Sequence, residues 1–133
     1  MVSGKLSITT TAKMELVNIT AELQRVIRSQ SISSGVLYVF NPHTTAGLTI
    51  NEGADPAVQE DLIAALQKIV PSNVRYKHLE GNSPAHMKTS LFGSSEMIFF
   101  EKGSLKLGTW QRIFFCEFDG PRSRKMHWRL LQA

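Results

Sequence analysis

The apolar residues of this chain arrive in short runs, and that limits what it can fold into. GVLYVF lies at 35–40, MIFF at 97–100 and IFF at 113–115. None approaches the ~18 consecutive apolar residues needed to cross a bilayer as a helix. All are rich in β-formers, and GVLYVF is framed by Gly35 and Pro42, so each reads as a strand. The loose alternation over residues 5–18 predicts one or two more strands, and AGLTI at 46–50 another. EMIFFEKGSLKLG reads as a hairpin turning at Lys102–Gly103. RIFFCEF is a strand, DGPR a turn, and KMHWRLL a last strand with Met126, Trp128 and Leu130 on one face.

Helical spacing appears in three places. Thr20 reads as an N-cap, with Leu23, Val26 and Ile27 carrying an apolar stripe to about Gln30. Asp55 before Pro56 is a strong helix start, and Val58, Leu62, Leu66 and Ile69 follow on one face until Pro71. Asn82 or Ser83 can cap a third helix, with Pro84 in its first turn and Gly93 at its end. The order predicts an α+β protein with a large antiparallel component. At 133 residues, 1–133 is expected to be a single domain. Hydrophobic residues make up 42% and charged residues 20%, a globular rather than disordered composition. MVSGKLSITTTAK has no apolar core of a secretory signal, and Cys116 has no second cysteine to pair with. The expected setting is therefore reducing and cytoplasmic, with no membrane partner.

Three of the four histidines sit beside turn formers: His43 in NPHTT, His78 and His86 in HLEGNSPAH. Imidazole suits zinc and similar divalent ions, and three protein ligands with an open position are the usual layout of a catalytic site. Glu52 and Glu80 are carboxylates that could orient a histidine or move a proton. The spacing matches no HExxH or cysteine-pair pattern, and polar loop histidines bonding backbone groups fit it as well. His127 falls inside the last strand's alternation and reads as a cross-strand residue.

The second rich stretch is LGTWQRIFFCEFDGPRSR. Glu117 and Asp119 share a face of a regular strand. Arg122 and Arg124 follow a tight turn, where the guanidinium fork can grip phosphate oxygens. Trp110 and Gln111 could stack on and bond to an aromatic heterocycle, or Trp110 could simply be core. Cys116, flanked by apolar residues, reads as a buried inert thiol. Net charge is +4, but the basic residues are concentrated near one turn rather than spread as a stripe. A small phosphorylated partner is expected over nucleic acid.

Together, HTTAGLTINEGADP, HLEGNSPAHMK and LGTWQRIFFCEFDGPRSR closely resemble the YjbQ family, from about Thr10 to Arg124. The resemblance implies a compact α+β fold on a β-sandwich-like sheet, and a homotrimer. It implies His43, His78 and His86 as metal positions, with Glu52, Asn82, Trp110, Gln111, Glu117 and Arg122 around a pocket. Of these, Glu52 and Glu117 are the candidate catalytic carboxylates. The sequence departs at Leu79, where relatives often carry an acidic residue. A secondary thiamine-phosphate synthase activity is described for members, joining a pyrimidine diphosphate to a thiazole phosphate. A divalent metal, zinc or with a diphosphate substrate magnesium, would aid departure of the diphosphate. Metal-dependent hydrolysis of a small phosphorylated substrate, or a trimeric metal- or anion-binding protein without turnover, fits the same residues.

Overall fold

A computed structural model describes residues 2–133. Eleven elements follow in chain order: β1 (Val2–Thr9), β2 (Glu15–Asn18), α1 (Thr20–Arg28), β3 (Gly35–Phe40), β4 (Ala46–Glu52), α2 (Pro56–Ile69), α3 (Ser83–Phe92), β5 (Ser95–Glu101), β6 (Ser104–Leu105), β7 (Gln111–Glu117) and β8 (Ser123–Gln132). The strands form two antiparallel sheets, one of five strands ordered β1-β8-β3-β5-β6, the other of three ordered β2-β7-β4. The expected α+β, sandwich-like class is the one observed.

The layering explains the apolar runs. Ile113 and Phe115 of β7 join Leu37, Val39, Ile98, Phe100, Met126 and Leu130 of the larger sheet in the main core, with α1 contributing Leu23 and Ile27. The alternate residues Phe114 and Cys116, with Phe118 just beyond, face a second core that includes Leu66 of α2 and Ala85 of α3. A strand covered on both faces has no position to give to polar residues. That is why IFFC reads as a continuous apolar run while β8 alternates.

Local chemistry sets the boundaries. Asp55 caps α2 as expected, its Oδ1 accepting from the Ala57 N–H at 2.9 Å. Lys102 and Gly103 both adopt positive φ, the geometry of a tight hairpin turn. Residues 5–18 resolve into two strands. Thr20, expected as an N-cap, is instead the first residue of α1, and Ile19 holds the cap position without a side-chain bond. The Thr20 hydroxyl is drawn elsewhere, accepting from the Ile113 N–H of β7 at 2.8 Å. The helix ends at Arg28, before Gln30. No helix is long and apolar enough to cross a membrane among the described residues.

Candidate functional site

The site begins with a bond between the two sheets. Arg124 occupies the inward phase of β8, the phase of Met126, Trp128 and Leu130. Glu117 ends β7, facing it. The Arg124 guanidinium donates through Nε to Glu117 Oε1 at 2.9 Å and through Nη2 to Oε2. Arg124 Nη2 also reaches the Thr45 hydroxyl at 2.9 Å, and the Thr10 hydroxyl donates to Glu117 Oε1 at 2.8 Å. The N–H groups of Phe118 and Asp119 complete the set around Glu117 Oε2. Glu117 is 0% exposed and Arg124 3%. Burial opposes charge on Glu117, but the bonds from Arg124, Thr10 and the Asp119 N–H outweigh it and hold the carboxyl below its usual range.

Arg124, held from behind by Glu117, lines a cleft of about 390 Å³, whose walls include His43, His78, Glu80, Asn82, His86 and Arg122. His43 comes from the turn between β3 and β4. Asn41 shapes that turn, accepting from the His43 N–H at 3.0 Å and donating to the Ala46 carbonyl. His43 Nε2 lies 3.0 Å from both the N–H and the carbonyl of Lys125. Either ring tautomer is thus satisfied, and when Nε2 donates to the carbonyl the lone pair is left on Nδ1. Burial and the neighbouring Arg124 charge lower the His43 pKa, which favours the neutral ring.

His78 and His86 face each other edge-on, ring centroids 5.2 Å apart. His86 rides on the first turn of α3. Its partner comes from the preceding loop, with the Glu80 carboxylate 3.9 Å from His78 Nε2. The cap position of α3 belongs to Asn82, but its side chain makes no cap. Nδ2 instead donates to Asp119 Oδ2 at 3.0 Å, tying the helix to the turn after β7. Asp119 also accepts from Arg122, whose Nη2 and Nε reach its Oδ2 and carbonyl at 3.0 and 2.9 Å. Arg122 is thereby aimed while its side chain stays half exposed. Burial works against charge on Asp119, but Asn82, Lys13 and Arg122 overcome it and lower the pKa.

The donor chemistry of this cleft suits a borderline divalent ion: three imidazoles, two of them paired, and a nearby carboxylate. Among the described residues no three such side chains converge on one ligating point. Glu52, Trp110 and Gln111 lie elsewhere. Glu52 pairs with Gln111 at the far end of the β4–β7 ladder, whereas Ala46 pairs with Glu117 at the cleft. Six residues of strand separate the two ends, about 20 Å. Trp110 is 63% exposed there, which excludes a core role within one chain. Thr10 and Thr45 were missed by sequence reasoning. Arg124, expected beside Arg122 as a phosphate-gripping guanidinium, is instead buried and committed to Glu117, because it falls on the buried phase of β8, where a charge needs a partner.

The likeness to known proteins follows this architecture. The family model for UPF0047 protein YjbQ-like matches residues 4–133. The chain belongs to the YjbQ family. It is 46% identical to the UPF0047 protein of Methanocaldococcus jannaschii, over 96% of this chain and 92% of that one. It is 44% identical to the UPF0047 protein YugU of Bacillus subtilis, over 95% and 96%. A YjbQ/UPF0047 family crystal structure from Clostridium acetobutylicum superposes with a TM-score of 0.93 at 48% identity, covering 96% of this chain and 98% of that one. This YjbQ family member therefore has both the fold and the cleft-forming motifs described above in a single chain.

Proposed function

We infer that this YjbQ family member is an enzyme that binds a divalent metal ion and acts on a small phosphorylated substrate. The observation that carries the reading is the cleft itself: three imidazoles and a half-exposed, pre-aimed arginine line one cavity. His43, His78 and His86 line one cavity without converging on a point, and would hold the ion once their rings turned toward it, zinc being the best match to imidazole donors. A bound divalent ion would supply Lewis-acid charge where negative charge develops on a departing phosphate or diphosphate. Arg122 is the group that grips phosphoryl oxygens, and Asp119 fixes its direction. Glu117 acts through Arg124, which lines the cleft, and is a positioning residue rather than a group that meets substrate. Magnesium fits only as the companion of a diphosphate.

Within that reading, transfer between a pyrimidine diphosphate and a thiazole phosphate is the first activity to test, and phosphate-ester hydrolysis the second. The distant Glu52, Trp110 and Gln111 join such a cleft only from another copy of the chain. A trimer accounts for them and for the exposed apolar face of the larger sheet, where Tyr38, Phe40, Met97, Phe99 and Leu131 all lie uncovered. The test is elemental analysis of protein purified without chelator, followed by both assays with and without chelation. One ion per chain and chelator-sensitive turnover are expected. Metal-free protein that neither binds zinc nor turns over either substrate set would overturn the reading.

A further inference from the structure

A second cavity, of about 220 Å³, lies behind Asn82 and Asp119, between the C-terminal end of α2 and the first turn of α3. Its most unusual wall residue is Lys88. This lysine sits on the buried face of α3 and is only 6% exposed. A buried ammonium is expected to meet a carboxylate or several oxygen acceptors. Among the described residues it meets neither. Its single hydrogen bond runs from Nζ to the thioether sulfur of Met14 at 3.3 Å. The Gln67 amide leans on the same sulfur at 3.9 Å. A thioether is a weak acceptor, and an ammonium has three protons to give.

The surrounding charge does not correct this. Asp119 lines the cavity but is already engaged by Asn82, Arg122 and Lys13. Lys13 lines it too, so the wall carries two ammonium groups against one committed carboxylate. The first turn of α3, through Asn82, Pro84 and Ala85, adds the positive end of a ten-residue helix. Water could supply acceptors here but no counter-charge.

We propose that this cavity binds a small oxyanion, a carboxylate or phosphoryl group, with Lys88 as the charge that holds it. The site is separate from the histidine cleft and does not depend on the metal reading. Its volume limits the occupant to a compact ion or the charged end of a slender metabolite. Asn82 lines both cavities, and Asp119 lines this one while holding Arg122, so an occupied cavity would brace the same side chains that aim Arg122.

The experiment titrates inorganic phosphate and acetate, at constant ionic strength in chloride buffer, into the wild type, Lys88→Met and Arg122→Ala. Binding is read by thermal melting and by the NMR signals of the Lys88 ε-methylene. Methionine is a buried apolar replacement, so Lys88→Met is expected to fold and to melt no lower than the wild type in anion-free buffer. At least one of the two anions should raise the melting temperature of the wild type and of Arg122→Ala. Affinity should fall at least tenfold in Lys88→Met, and the wild-type Lys88 signals should shift saturably. The stronger of phosphate and acetate identifies the oxyanion class. If Lys88→Met fails to fold, the Lys88 signals of the wild type still decide. The proposal is overturned if those signals stay fixed, if Lys88→Met responds like the wild type, or if only Arg122→Ala abolishes the response.

Discussion

Glu117 and Arg124 meet across the two sheets, one from each, with no water-exposed surface to speak of on either side chain. The pair is a strut: it fixes the end of the sandwich from which the cleft opens. Removing one partner strands the other charge in a dry interior, which typically costs about 3–5 kcal/mol. Arg124→Met and Glu117→Gln should each lower unfolding free energy on that scale in urea titrations. The double variant Glu117→Leu/Arg124→Met should recover much of the loss, because a paired apolar replacement leaves no orphan charge. Equal losses that simply add would show that the two residues stabilise independently.

The same pair sets a pH dependence. Folding holds the Glu117 carboxyl below its ordinary value, so the unfolded chain takes up the proton more readily. The contribution is complete above the unfolded Glu pKa of about 4.3 and is lost as pH falls through the folded value. The urea midpoint should therefore decline below about pH 4.3. That decline should be shallower in Glu117→Gln, where no carboxyl remains at this position to titrate. Superimposable pH profiles would assign the acid sensitivity to other carboxylates.

The legibility of the sequence followed how local each signal is. Asp55 before Pro56 and the Lys102–Gly103 turn act within a few residues, and both are where the sequence places them. The apolar strands were readable because period 2 sorts Phe114 and Cys116 from Ile113 and Phe115. Thr20 was misread because its hydroxyl serves a backbone N–H 93 residues away. Asn82 looked like a cap, yet spends its amide on Asp119. Long-range partners leave no periodic trace. The family resemblance likewise grouped Glu52 and Gln111 with the histidines around one pocket, while the β4–β7 register sets them at the opposite end of the sheet.

The turn that carries Arg122 depends on a missing side chain. A Cβ on Gly120 would lie 2.3 Å from the Ala12 carbonyl oxygen and 2.8 Å from Glu117 Cγ. Neither is the tip of a flexible chain. Gly120→Ala should cost about 1–3 kcal/mol, the usual range for forcing atoms into a packed site. It should also displace Arg122, so binding of phosphate compounds to the cleft should weaken beyond the stability loss. Chemical denaturation and a Trp-fluorescence titration measure the two effects separately, and an unchanged titration would detach Gly120 from the aiming of Arg122.

Cys116 is enclosed on both sides of β7, and burial pushes its thiol well above the ordinary range. In native protein it should resist a disulfide exchange reagent for as long as the chain stays folded, then react with one equivalent per chain in denaturant. Fast stoichiometric labelling of the native protein would show that the strand opens far more readily than its packing implies.

The assembly prediction joins the exposed apolar face to the displaced site residues. Tyr38, Phe40, Met97, Phe99 and Leu131 share the outer face of the five-stranded sheet, and large uncovered apolar areas mark interaction surfaces. A trimer covering this face should scatter light as about three times the chain mass of 14.9 kDa. Phe99 is the most exposed of the five, and its removal from the sheet face leaves the inward residues Ile98 and Phe100 in place. Phe99→Asp should therefore dissociate the assembly while the far-ultraviolet circular dichroism of the chain is retained. If Glu52, Trp110 and Gln111 complete a neighbour's cleft, dissociation should also abolish turnover, whereas zinc binding by the histidines within each chain should persist. A wild-type chain that scatters as a monomer at all concentrations, or a Phe99→Asp monomer that turns over normally, would confine the site to one subunit.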